Sequence, residues 1–163
     1  MKIAVGVVLV IVVAAIAVLV AIRTLPSDPD EWHVDPLAAE DPGEAGVLLV
    51  PPEAPVFTVS PEALAEAFDT VAMAAPRTKR LAGSPDDGFT TYIVRSKWMG
   101  FPDYVSVRTL PADGGSTLAV FSRLRFGGSD LGVNTARLEA WLAALKEAVP
   151  EAAPQAPQTE TTQ

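Results

Sequence analysis

Residues 3–22 read IAVGVVLVIVVAAIAVLVAI, twenty consecutive positions without a charge or a polar side chain. At about 1.5 Å per residue, a helix of that length covers about 30 Å, the hydrocarbon thickness of a bilayer. Valine and isoleucine are mediocre helix formers in water. In lipid the backbone must satisfy its own hydrogen bonds, and the run is expected to be helical there regardless. The competing reading is a cleaved signal peptide, whose apolar core is about 7–15 residues long and is followed by a small-x-small site. This run is longer and ends in Ala-Ile-Arg, so residues 1–23 are read as an uncleaved N-terminal transmembrane helix. Lys2 and the α-amine flank one end; the other has Arg23 and then no Lys or Arg until Arg77. The positive-inside rule then predicts a cytoplasmic N-terminus and a domain outside. In a bacterium this describes a single-pass inner-membrane protein with a periplasmic domain.

After the apolar run the chain changes character. Residues 24–52 hold six prolines and seven acids, a composition that cannot sustain a long helix or ladder. Residues 24–53 are therefore predicted to be an acidic, extended, self-repelling spacer. Val47-Leu48-Leu49-Val50 is its one apolar patch, a candidate short edge strand stopped by Pro51-Pro52. Residues 150–163, PEAAPQAPQTETTQ, have no apolar period and read as a disordered tail. What remains, residues 54–149, is one domain.

Within it, Ser60-Pro61-Glu62 carries three helix-start signals: an N-cap serine, a first-position proline and an acid at the positive dipole end. Leu64, Phe68, Val71 and Ala75 recur at helical spacing, and Pro76 closes a helix predicted over 61–74. Strands are predicted at 56–59, 89–98, 104–110 and 117–126, with a weaker one at 78–82. Asp113-Gly114-Gly115 marks a hairpin. A last helix is predicted from about 135 to 148, with Leu138, Trp141, Leu142, Leu145 and Val149 as its apolar stripe and Asn134 as its N-cap. Alternation gives each long strand one apolar side and one side carrying cations, Arg95 and Lys97, Arg108, or Arg123 and Arg125. The fold class is α+β: an antiparallel sheet of three to five strands with two helices on one face, preceded by the transmembrane helix.

The stretch SRLRFGGSDLGVN, residues 122–134, joins the last strand to the last helix. Its glycines permit an abrupt exit from the strand, and Ser129 and Asp130 are suited to bond free N–H groups in the turn. One reading is an anion site made by a helix N-terminus with Arg123, Arg125, Ser129, Asp130, Asn134 and Arg137. The other is a structural clamp in which Asp130 pairs with one of the arginines. The glycines are not a phosphate loop, since GGSDLG lacks the Walker lysine and the GxGxxG order.

The same stretch, with YIVRSKWMGFPDYVSVRTL upstream, resembles an uncharacterised family of bacteria and plastids catalogued only as a domain of unknown function, number fourteen-ninety-nine. Ser122, Arg123, Arg125, Gly127, Ser129, Asp130, Gly132, Asn134 and Arg137 match its hallmark, as do Ser96, Phe101 and Asp103. The resemblance spans residues 57–149. It departs at Thr135-Ala136, where the family often has another basic residue. It implies a domain that frequently follows a signal or membrane anchor, and it implies no activity.

Composition narrows the function classes. The net charge of −8 argues against nucleic acid as a partner. Without cysteine there is no thiolate chemistry, and with His33 as the single histidine no metal or cofactor site is expected. No paired carboxylates share a predicted element, and the histidine lies in the spacer, so no enzyme is expected. Residues 76–137 hold nine basic residues against five acids, so the acidic spacer has a cationic sheet face to fold back on. The expected role is a non-enzymatic binding or assembly module held at the lipid bilayer, with a cationic site for a small anion, a lipid headgroup or an acidic segment of a membrane protein. The alternatives are a purely structural domain and an uncharacterised enzyme.

Overall fold

The computed structural model describes residues 2–151. The predicted tail falls outside these residues from 152 onward. Helix α1 (Lys2–Thr24) is apolar all round and is long and apolar enough to cross a membrane; a signal sequence meets the same two criteria. A single turn, α2 (Pro29–Trp32), follows, then strands β1 (Gly46–Leu49) and β2 (Val56–Phe57), helix α3 (Pro61–Ala74), and strands β3 (Thr78–Ser84), β4 (Phe89–Arg95), β5 (Pro102–Ala112) and β6 (Gly115–Leu124). Helix α4 (Val133–Ala148) ends the fold.

The strands form one antiparallel sheet in the order β1-β6-β5-β4-β3, with β2 also beside β6. The α+β class and the helices on one face are as the sequence predicts. Among the described residues there are six strands, not three to five, because two short pieces share the edge beside β6. There, β1 pairs with residues 120–123 and β2 with residues 116–117, and the Pro51-Pro52 turn separates them. The central hairpin runs from Asp103↔Leu124 to Ala112↔Gly115 and closes at Gly114, whose φ of +84° is the left-handed conformation that the turn requires.

Helix α3 starts as its signals dictate: the Ser60 side chain accepts from the Ala63 N–H, and Pro61 takes the first turn. Its Leu64, Phe68 and Ala72 pack with Leu138, Trp141 and Leu145 of α4 on the sheet side formed by Tyr92, Val94, Val105, Val107, Leu118 and Val120. Trp141 stands edge-on to both Phe68 and Tyr92, at centroid distances of 5.8 and 6.1 Å, geometries favoured by the aromatic quadrupole. Each fully buried side chain of this kind is worth about 1.5–3 kcal/mol, which is why two helices suffice to hold the sheet.

The segment predicted to be an extended spacer lies across the other face of the sheet, the cationic face that the charge balance offers it to fold back on. Trp32 stacks on Tyr104 at 4.0 Å, and His33 on Phe89 at 3.8 Å. Asp35 pairs with Arg108 at 2.9 Å, and Pro36 is buried. Self-repulsion is reduced where three of its acids are engaged locally. Asp28, Asp35 and Asp41 each accept a backbone N–H two residues on, and Asp35 also meets a guanidinium. We refer to residues 25–45 as the strap. The apolar patch expected as a short edge strand is β1, which belongs to the sheet. At the other end Pro150 and Glu151 remain docked, through Thr58 N–H to Pro150 O (3.0 Å) and Lys146 to Glu151 (3.0 Å).

Candidate functional site

Alternation along β6 divides the opening stretch between two faces, because successive side chains of a strand point to opposite sides. Arg123 and Arg125 face the strap. Arg123 is buried: it donates to Trp32 O (2.7 Å), Phe121 O (3.4 Å) and Ser106 Oγ (3.3 Å), and lies over the Phe121 ring at 4.3 Å. Carbonyls, a hydroxyl and ring faces surround it. Desolvation pushes its pKa down to about 10, partly offset by Tyr104, so it stays charged at neutral pH. A polar chain continues from Ser106 Oγ to Thr91 Oγ1 (2.9 Å) and on to His33 Nδ1 (2.8 Å). Burial, then the Arg108 charge, hold His33 below the usual imidazole range. Arg125 donates to Pro26 O (2.9 Å) and the Tyr104 hydroxyl (3.1 Å).

Ser122 and Arg137 belong to the helix side. The Arg137 guanidinium binds Asp103 (2.7 Å) and Asn134 Oδ1 (2.5 Å), and Ser122 Oγ donates to the same Asn134 oxygen (2.5 Å). Burial pushes the Asp103 carboxyl up, against the opposing pull of Arg137. Asn134 is wholly buried, and its Nδ2 has no partner in the structure. The expected N-cap role for Asn134 is therefore corrected. The cap residue is Gly132, at φ +81°, and Asn134 lies inside the helix with its side chain turned into this cluster. The orphan N–H groups are met instead by Asp130, whose two carboxylate oxygens accept from Gly132 and Asn134, each at 2.8 Å. Burial disfavours the Asp130 charge, but these N–H groups and the nearby Arg137 outweigh it and leave the pKa lowered. Such a cap is worth about 0.5–2 kcal/mol. Asp130 caps and does not clamp; the carboxylate paired with Arg137 is Asp103. Ser129 is exposed and accepts from the Leu131 N–H (3.3 Å).

The six residues proposed as one anion site thus do not converge. Arg123 and Arg125 lie on the strap side, Asn134 and Arg137 on the helix side, and Ser129 and Asp130 in the connecting turn.

A different set of cations does converge. Arg23, Arg77, Lys79, Arg95 and Lys97 line a cavity of about 580 Å³ with Ile93, Ser96 and Gly100, and among the described residues no carboxylate lines it. The register pairs Lys79 with Ile93, and Arg77 and Arg95 are joined by backbone and side-chain hydrogen bonds (3.1 and 3.0 Å). Arg95 also donates to Gly100 O (2.9 Å), which ties the strand end to the loop that follows. Arg77 has φ +62°, an uncommon conformation for a side-chain-bearing residue. Arg23, at the end of α1, closes the cavity by donating to Trp98 O (2.5 Å), with its stem against Gly100. Among the described residues, the four ion pairs engage none of these five cations. Sequence reasoning placed Arg95 and Lys97 on a basic strand side but missed the set. The signal was the doubled i, i+2 spacing, Arg77 with Lys79 and Arg95 with Lys97; the register that makes the pairs neighbours is a long-range fact.

Fold and cavity together define a class: a single α+β domain on an N-terminal apolar helix, with a cationic cleft where the two meet. A family model described as "Protein of unknown function (DUF1499)" matches residues 22–145, and the chain belongs to that family. The match begins before the strap, as expected if strap and sheet are one folded unit. Comparison with curated proteins and with solved structures found no match to either.

Proposed function

We propose that the chain is a non-enzymatic binding module held at the inner membrane of a bacterium by α1, with its domain on the periplasmic side, and that it binds an anion in the Arg23/Arg77/Lys79/Arg95/Lys97 cavity. The observation that carries this reading is the convergence of five cations from α1, the turn before β3, β3, β4 and the loop after β4 on one cavity with no acid among its described lining residues. Like charges held together without a counter-ion repel one another, and a multivalent anion relieves that repulsion. The histidine and the Ser122 hydroxyl are committed to structural contacts, which favours binding over reaction.

The site is tested on the full chain in neutral detergent. Pyrophosphate is expected to raise the melting temperature above that in sodium chloride of equal ionic strength, and the effect is expected to vanish in the double variant Lys79→Glu/Lys97→Glu. Both lysines are exposed, so the variant is expected to fold. An unchanged response in the variant, or none in the wild type, removes the anion site.

The location rests on the charge difference across α1 and has its own test. Protease added to spheroplasts is expected to digest the domain, with the α1 segment staying in the membrane fraction. A domain protected until the membrane is broken reverses the orientation.

A further inference from the structure

We infer that the anion is the phosphate headgroup of an anionic phospholipid, and that the end of the domain around the cavity lies against the bilayer surface. This inference rests on the anion-binding reading above and adds the ligand to it. Three observations beyond the cavity's net charge point the same way.

The first is position. Arg23 occupies the last turn of α1 and is itself a wall of the cavity. A helix of this length that spans a bilayer ends at the level of the headgroups. Arg23 donates to Trp98 O and, at 3.5 Å, to Met99 O, so the loop between β4 and β5 sits at that level too.

The second is what this end of the sheet exposes. Trp98 is 76% exposed and Met99 41%, on the loop that Arg23 holds. Register places the start of β5 beside the end of β6, through Asp103↔Leu124, so the turn after β6 emerges at the same end. That turn presents Phe126, which packs on Phe101 at 6.0 Å, and Leu131, 92% exposed. Leu131 is held at φ +54°, a left-handed conformation uncommon for a residue with a side chain, with its apolar group directed into solvent. Tryptophan and other large apolar groups beside basic residues are the composition of a membrane interface.

The third is how the cations and the apolar groups are arranged. Lys97 Nζ lies 4.9 Å from the centre of the Trp98 ring, so cation and aromatic share one projection. A lipid phosphate entering the cavity leaves its acyl chains beside Trp98, Met99 and Phe126. A soluble phosphate makes no use of those groups. An acidic peptide segment uses the cations but has no need of a site at the end of a membrane helix. Basic residues beside a membrane helix attract anionic headgroups, each one near an anionic surface strengthening the attraction about fivefold.

The test places the full chain in vesicles of phosphatidylcholine alone, or of phosphatidylcholine with phosphatidylglycerol, each doped with phosphatidylcholine brominated in its acyl chains. Quenching at Trp98 is read as the difference between wild type and Trp98→Phe, which removes the contributions of Trp32 and Trp141. Trp98 quenching that rises when phosphatidylglycerol is present, and falls back to the phosphatidylcholine level in Lys79→Glu/Lys97→Glu, is the expected result. Quenching equal in the two lipids, or unaffected by the double variant, overturns the lipid assignment. The pyrophosphate melts separate the two failures. If pyrophosphate stabilises the wild type in detergent while Trp98 ignores phosphatidylglycerol, the cavity takes a soluble anion or an acidic segment, and only the lipid inference falls. If neither responds, both readings fall.

Discussion

Arg137→Ala is expected to destabilise the domain by about 3–5 kcal/mol, because it strands the Asp103 carboxylate in a site from which water is largely excluded. The two side chains are only 13% and 14% exposed, so solvent does little to screen the loss. The same change takes the Arg137 donor from Asn134 Oδ1, in a cluster that already carries an unpartnered amide nitrogen. The pH dependence identifies the cause. Burial already holds the Asp103 pKa above its unfolded value, and removing Arg137 removes the pull that opposes this. In the variant, therefore, the folded state binds more protons than the unfolded state between the two Asp103 pKa values. Its stability falls as pH rises through that window, so the deficit is largest at neutral pH and shrinks on acidification. Denaturant unfolding of the full chain in detergent, at neutral and mildly acidic pH, measures both effects. Adding Asp103→Asn to Arg137→Ala is expected to recover much of the loss. A loss below about 1 kcal/mol that does not vary with pH would class the pair with exposed ion pairs and remove the clamp from this corner.

The sequence carries the local parts of this fold legibly. Ser60-Pro61-Glu62 starts a helix where it says it will, and the period-two pattern sorts Leu118 and Val120 from Phe121 and Arg123 onto the correct faces. Such signals are properties of a few neighbouring residues and need no knowledge of partners. The charge balance offers the strap a cationic face to fold back on, but its contacts there are not legible, for a corresponding reason. Its prolines and acids forbid regular structure, and regular structure is all that local pattern reports; Trp32 on Tyr104 and Asp35 on Arg108 are contacts across roughly 70 positions of chain. Asn134 shows a subtler limit. Asparagine just before a helix is a good cap, but Asp130 four residues earlier is a better one once Gly132 turns left-handed. The amide is then free to face Ser122 and Arg137. In the same way, Arg123 and Arg125 were assigned to one site with Asn134 and Arg137, when the strand positions face the strap and the helix positions lie on the other side of the sheet. The cavity at the foot of α1 draws on positions as far apart as Arg23 and Lys97, brought together by strand register and by where the apolar helix ends.

Arg123 gives the second large effect, and its logic differs from that of Arg137. Among the described residues no carboxylate pairs with this buried cation; it is held by the Trp32 carbonyl, the Ser106 hydroxyl and the faces of Phe121, Trp32 and Tyr104. Its desolvation is a standing cost, offset by what it does mechanically: it pins the strap to the sheet. Arg123→Ala is expected to lose about 2–4 kcal/mol, from a cavity beneath Trp32 and from polar groups left unmet. The strap is expected to loosen with it. The strap offers no Lys or Arg for trypsin between Arg23 and Arg77, but Glu31, Glu40 and Glu44 are sites for a protease that cuts after glutamate. Cleavage there should appear in Arg123→Ala under native conditions in which the wild type resists. Arg123→Met refills most of the volume without burying a charge, so it is expected to cost less than the alanine variant although it cannot bond the Trp32 carbonyl. Arg125→Ala, at the less buried rim, is expected to change stability by about 1 kcal/mol or less. A methionine variant as damaged as the alanine would locate the effect in the hydrogen bonds and not in packing. A strap that stays resistant in Arg123→Ala would show that the stacked Trp32 and His33 rings and the Asp35–Arg108 pair hold it unaided.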